Sequence, residues 1–153
     1  MAERYGYVLP IEERWWKRFL DRVGAGEEQH AYVRRGRVGP TAAEQIIFYV
    51  THPRKEVRGS AEFVDRVTGD AEDLWRLHGR KTCLRSHGEY ADLLQGRARA
   101  TFILFRGLRE KSTPIPFQKF SEITGITRVS PMGKYLTREE AEKLIEDPQG
   151  TSV

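Results

Sequence analysis

Cysteine is almost absent: Cys83 is the only one in 153 residues. That excludes an intrachain disulfide and leads us to expect a reducing, cytoplasmic setting. Metal ligands are sparse too. The four histidines are His30, His52, His78 and His87. Cys83 and His87 stand four apart, but no C-x2-C pair accompanies them, so neither a zinc site nor any other cofactor is expected. No apolar run approaches the ~20 residues that cross a bilayer. The start, with Glu3 and Arg4, carries no apolar leader core, so a membrane partner is not expected either. G-x-S-x-G elbows, Walker loops and G-x-G-x-x-G turns are all missing, and no catalytic residue is assigned. There is no internal repeat, heptad array or low-complexity segment.

What is present is a folding chain with a charged surface. Apolar residues make up 39% and charged residues 31%, with a net charge of +4. At this length one domain over 1–150 is expected, with a core of its own. The basic balance favours a polyanionic partner without requiring one.

The chain is organised around 45–67. Ile46 to Val50 is a short apolar run rich in β-branched and aromatic residues, which suits a strand buried on both faces. From Glu56 the pattern alternates: Val57, Gly59, Ala61 and Phe63 point one way, and Glu56, Arg58, Ser60 and Glu62 the other. Pro53 sits between the two and belongs in a connection, so a hairpin is expected. A helix is expected from Pro10 to about Gly24, carried by Ile11, Trp15, Phe19 and Val23, with Trp15 in the core and Trp16 at its edge or lining a cleft. Asp70 caps a short helix through His78 with Leu74, Leu77 and His78 inward, and Trp75 lies off that stripe. Ser86/Glu89 and Thr137/Glu140 read as capping boxes. Residues 97–108 form an interior strand, Thr113–Pro116 is extended, 117–123 is a short helix, 127–134 is a loop, and the tail from Pro148 frays.

Aromatic and basic residues are interleaved throughout. His30, Tyr32, Arg34, Arg35 and Arg37 crowd into eight positions, and as a strand 29–35 places His30, Tyr32 and Arg34 on one face. His52/Arg54/Lys55, Trp75/Arg76 and Arg80/Lys81/Arg85/His87/Tyr90 repeat the mixture. Rings that stack on bases and guanidinium forks that neutralise phosphate are the means by which unstacked nucleic acid is held. A solvated edge strand guarded by arginines explains 29–37 equally well.

The order of these features resembles the PUA-like superfamily, in particular its ASCH and EVE branches and a small archaeal family among them. The resemblance rests on Phe19–Val23 preceding strand 30–35, on Glu44 to Thr51 (similar to a D-x-I-x-F-Y strand), on Val57 to Val64 (similar to I-x-G-x-A-x-V), on Asp70 to Trp75, and on 97–105 with Pro114-Ile115-Pro116. It spans roughly 17–146. It implies an α+β fold: a PUA-like pseudo-β-barrel of about five or six strands with three or four flanking helices and a cleft beside the barrel. Relatives bind RNA or a modified base there. The ASCH pattern G-x-K-x-x-E-x-R, aligned on Arg34, meets Gln29 and Tyr32 where some relatives keep the Lys and Glu used for amide hydrolysis of modified pyrimidines.

The expectation is therefore a non-catalytic module for RNA or a modified nucleotide. Tyr32 and Trp75 stack on the base, Arg34, Arg35 and Lys81 hold phosphate, His30 hydrogen-bonds a base edge or the 2′-hydroxyl, and Arg85 completes the nucleic-acid-binding set. A small amidohydrolase acting on a modified nucleoside is the alternative, using Lys81 or Lys55 with Glu62 or Glu28. A monomer or weak homodimer is expected, with Trp15/Trp16 as the candidate dimer face.

Overall fold

An apolar run that alternates between two hydrophobic faces needs cover on both, and Ile46–Val50 has it. The computed structural model describes residues 4–36 and 38–146; Arg37 and the tail from Pro148 lie outside the described residues. The run forms β3 (Gln45–Val50). Ile46, Phe48 and Val50 face one buried cluster, and Ile47 and Tyr49 face another on the far side of the sheet. The expected hairpin is present: β3 pairs antiparallel with β4 (Glu56–Asp70). The alternation expected along 56–63 is broken by a bulge, because Phe48 lies opposite Gly59 and Tyr49 opposite Val57. Ser60, expected outward, is consequently buried. Gly59 meets the indole of Trp16: a Cβ there would stand 2.6 Å from Cη2 and would also strike the Arg109 carbonyl oxygen.

β5 (Arg99–Pro116) runs antiparallel beside β4 from Asp70↔Arg99 to Glu56↔Pro116. It joins the strand expected over 97–108 to the extended Thr113–Pro116 segment. β2 (Gln29–Arg34) pairs antiparallel with the other edge of β5. On the opposite side β1 (Gly6–Ile11) pairs parallel with β3, and β6 (Lys134–Leu136) pairs antiparallel with β1. The order is β2-β5-β4-β3-β1-β6. This is the expected α+β class, but the sheet is not closed: β2 and β6 are its edges.

The helix expected from Pro10 starts later, as α1 (Glu13–Gly24), because Gly6–Ile11 is a wholly buried strand. Pro10 pairs with Tyr49 on one side, and β6 accompanies β1 only over Gly6–Val8. Pro10 thus has an open flank, where a missing N–H breaks no ladder bond. α1 buries Trp15, Trp16 and Phe19 against the first cluster.

α2 (Ala71–His78) and α3 (His87–Leu94) cover a third cluster with Ala31 and Val33 of β2 and Phe102 of β5. Asp70 and Ser86 cap them as expected, accepting the N–H of Asp73 and Glu89, each at 3.1 Å. Leu77, expected inward, is 70% exposed, since Ala71 and Leu74 are the buried side of α2. α4 (Phe117–Thr124) and α5 (Arg138–Ile145) cover the second cluster. The reciprocal capping box of Thr137 and Glu140 opens α5. Five helices therefore flank the sheet among the described residues, more than the three or four expected.

Candidate binding cleft

β2 and β1 stand first and fifth in the strand order, yet residues of both line one cleft of about 330 Å³. Strand twist accumulates across a sheet, and here it brings distant strands face to face without joining them. Arg34 crosses the gap: its Nη2 donates to the Pro131 carbonyl oxygen at 2.9 Å, just before β6.

One wall is β2, with Tyr32, Arg34 and the following Arg35. The facing wall is the end of β1 with Glu12 and Trp15. Thr82, Cys83 and Leu84 form the side next to α2 and α3, tied to β2 by a bridge from Thr82 to Ala31. Arg18 fixes this segment from α1. Its Nη1 donates to Glu89 Oε1 at 2.6 Å and to the Cys83 carbonyl oxygen at 3.4 Å. Glu89 also accepts the Arg85 N–H at 2.8 Å. These two bonds hold its carboxyl below the usual carboxylate range, the Arg18 contact contributing most.

The structure brings together some of the residues singled out above and separates others. Tyr32, Arg34 and Arg35 share the cleft. Tyr32 is half-buried, with the Arg34 guanidinium carbon 5.8 Å from its ring centroid. Burial pushes its phenol up to about 12 against the opposing pull of Arg34, so the hydroxyl stays protonated at neutral pH. Arg35 Nη1 donates to Gln95 Oε1 at 2.5 Å.

His30 occupies the same face of β2 as Tyr32, as expected, but lies in the core at 1% exposure, stacked on Phe105 at 5.2 Å. A base edge has no access to it there. Its Nδ1 accepts from Arg22 Nε at 3.1 Å. Trp75 does not line the cleft either. Tyr90 stacks on its ring at 4.6 Å and the Gly79 backbone packs close against it. Lys81, with Nζ 3.3 Å from His78 Nδ1, and the exposed Arg85 flank the Thr82–Leu84 segment without entering the cleft.

The tryptophans exchange their expected places. Trp16 is fully buried, and it is Trp15, 5% exposed, that lines the cleft, with the guanidinium carbons of Arg14 and Arg18 at 4.2 and 4.9 Å from its ring centroid. With both indoles buried, this pair forms no dimer face. Glu12, Trp15 and the Thr82–Leu84 segment are among the cleft residues that sequence reasoning missed. The signal was the adjacency of two tryptophans, only one of which reaches the core's centre. Cys83 carries a thiol that burial pushes up to about 12, so it is neutral and a weak nucleophile near pH 7.

Of the residues of the hydrolase alternative, Glu62 and Lys81 share neither hollow. Glu62 is gripped by Arg106 through two 2.9 Å bonds, and it lines a separate hollow of about 1040 Å³ over β4, β5 and α5, whereas Lys81 lines neither. That larger hollow mixes Glu139, Glu142 and Glu146 with Arg109, Arg138 and Lys143, a balance unsuited to a polyanion. Among the described residues no three His, Cys, Asp or Glu side chains come together as a metal site, and no helix is long and apolar enough to cross a membrane.

No protein-family model matches the chain, and no curated protein matches it in sequence. Solved structures do. The ASCH protein of Zymomonas mobilis superposes with a TM-score of 0.76 at 28% identity, over 94% of this chain and 95% of that one. A single-residue mutant of it gives 0.76 at 27%, over 95% and 97%. The N-terminal domain of McrB from Staphylothermus marinus gives 0.53 at 15%, over 94% of each chain, a likeness of fold alone. An α+β sheet of this order, coiled around a cleft and similar to these structures, is a PUA-like fold. The likeness to the ASCH protein covers nearly the whole of both chains and supports placing this fold in the ASCH/PUA-like superfamily.

Proposed function

We propose that the chain binds single-stranded RNA, holding one unstacked or modified base in the cleft between β1 and β2. The observation that carries this reading is the shared wall of Tyr32, Arg34 and Arg35, an aromatic ring beside two guanidinium forks at one opening. Tyr32 stacks on the base, and Arg34 and Arg35 hold the flanking phosphates. Lys81 and Arg85 sit where a strand leaving the cleft passes the Thr82–Leu84 segment. A volume of about 330 Å³ lies at the low end of ligand pockets, roughly 300–1,000 Å³. It admits one nucleoside and not a duplex, so a base must leave its stack to enter.

Filter binding with RNA single strands of about ten nucleotides tests the reading. Tyr32→Ala is expected to weaken binding about 5- to 150-fold, the range for loss of one stacked base. Tyr32→Phe, which keeps the ring, is expected to bind within about twofold of the parent. The reading is lost if Tyr32→Ala, folded by circular dichroism, binds as tightly as the parent chain.

Phosphate neutralisation has its own signature. Affinity is expected to fall as salt rises, and Arg35→Ala to lower the slope of log K against log salt by about 0.7, the value for one phosphate on a single strand. An unchanged slope would remove Arg35 from the phosphate contacts.

A further inference from the structure

Among the described residues Glu12 is the only carboxylate lining the cleft, and its side chain serves no capping role. It stands at the N-cap of α1, yet its side chain makes no capping bond, whereas Asp70, Ser86 and Thr137 each accept an N–H at the start of their helices. Its ion pair to Arg14 Nε at 3.4 Å is open to water on both sides, the two side chains being 61% and 62% exposed. A pair so exposed is easily exchanged. Glu12 lines the same cleft as Tyr32 and Arg34, and its charge is among those that act on the Tyr32 hydroxyl. A carboxylate only accepts hydrogen bonds, and its two oxygens accept best from two adjacent N–H donors. Among the common bases, only the Watson–Crick edge of guanine offers such a pair, N1–H beside the 2-amino group. Uracil offers a single N–H between two carbonyls, which a carboxylate repels.

Building on the RNA-binding reading above, we propose that Glu12 is the specificity-determining residue of the cleft and selects guanine by accepting N1–H and the 2-amino group together. The rest of the wall supports this division of labour. Stacking on Tyr32 is indifferent to base identity, and the arginines hold phosphate, so discrimination falls to Glu12.

The test uses the full chain and single-stranded RNAs identical except at one central position: guanine, inosine, adenine or uracil. The guanine strand is expected to bind at least tenfold tighter than the uracil strand, within the range for a bidentate base contact. Inosine, which lacks the 2-amino group, falls between them. Glu12→Gln is expected to bring guanine and uracil within about threefold, chiefly by weakening guanine. Glu12→Asp keeps the charge but shortens the reach and is expected to lose the preference as well. Guanine and uracil strands binding within twofold, or a tenfold preference surviving Glu12→Gln, would overturn the assignment and leave the RNA-binding reading standing. Retention of no strand at all would overturn both.

Discussion

Trp16→Ala is expected to cost about 3–5 kcal/mol, the range for emptying a large aromatic from a core. Folded domains hold together by only about 5–15 kcal/mol, so much of the chain's stability is at stake. Trp16 is 0% exposed, packs on Phe48 at 5.3 Å between ring centroids, and fills the space that Gly59 leaves by having no side chain. Its neighbours belong to the sheet and cannot collapse into the void. Trp16→Phe is expected to cost far less, because it retains a ring and removes an indole N–H that is buried without a hydrogen-bond partner. Trp15→Ala separates the neighbours: its ring lines the cleft, so it is expected to cost less stability than Trp16→Ala and, on the proposed function, to weaken RNA binding. Urea midpoints of the three variants decide the matter. A larger stability loss from Trp15→Ala than from Trp16→Ala would reverse the roles assigned to the two indoles.

The second large effect is acid lability. Burial, with the Arg22 guanidinium adding to it, pushes His30 down to about 4 in the folded chain from its ordinary 6.5. Between those values the unfolded chain binds a proton that the folded chain refuses, so stability falls as pH falls. The His30 contribution, fully present above about pH 6.5, is lost progressively down to about pH 4. Between pH 7 and pH 5 the loss comes to about 2 kcal/mol. His30→Asn keeps an acceptor near Nδ1 for Arg22 and removes the titration. Urea unfolding at both pH values is expected to show the parent chain losing about 2 kcal/mol more than the variant on acidification. Equal losses would mean that His30 is charged in the fold or open to water.

Much of the architecture could be read from residue order because local chemistry and packing agree there. The β3–β4 hairpin follows from an apolar run, a proline turn and an alternating run. Capping residues at 70, 86 and 137 mark three helix starts, and Gly125, at φ 75°, ends α4. Failures fall where long-range packing decides. β1 was hidden because Pro10 resembles a helix start, and only the shortness of β6 makes a proline tolerable in that strand. The bulge opposite Phe48 shifts which β4 residues face inward, and no local pattern announces it. The cleft was half legible. Tyr32 and Arg34 alternate on one face of β2, so their meeting needs no tertiary knowledge, whereas Arg35 joins them only because the strand ends at Arg34. Glu12, Trp15 and Thr82–Leu84 reach them only through the coiling of the sheet. His30 shows the limit of face arguments: it shares a face with Tyr32, but the sheet's curvature takes it under α1 and away from solvent.

That coiling governs how the cleft deforms. Its walls are neighbours in space but are separated in the ladder by β5, β4 and β3. Prying them apart would unwind every intervening strand a little, spreading the load over the whole ladder instead of one hinge. Under the proposed function, a guest too thick for the slot would meet an elastic resistance shared by the entire sheet.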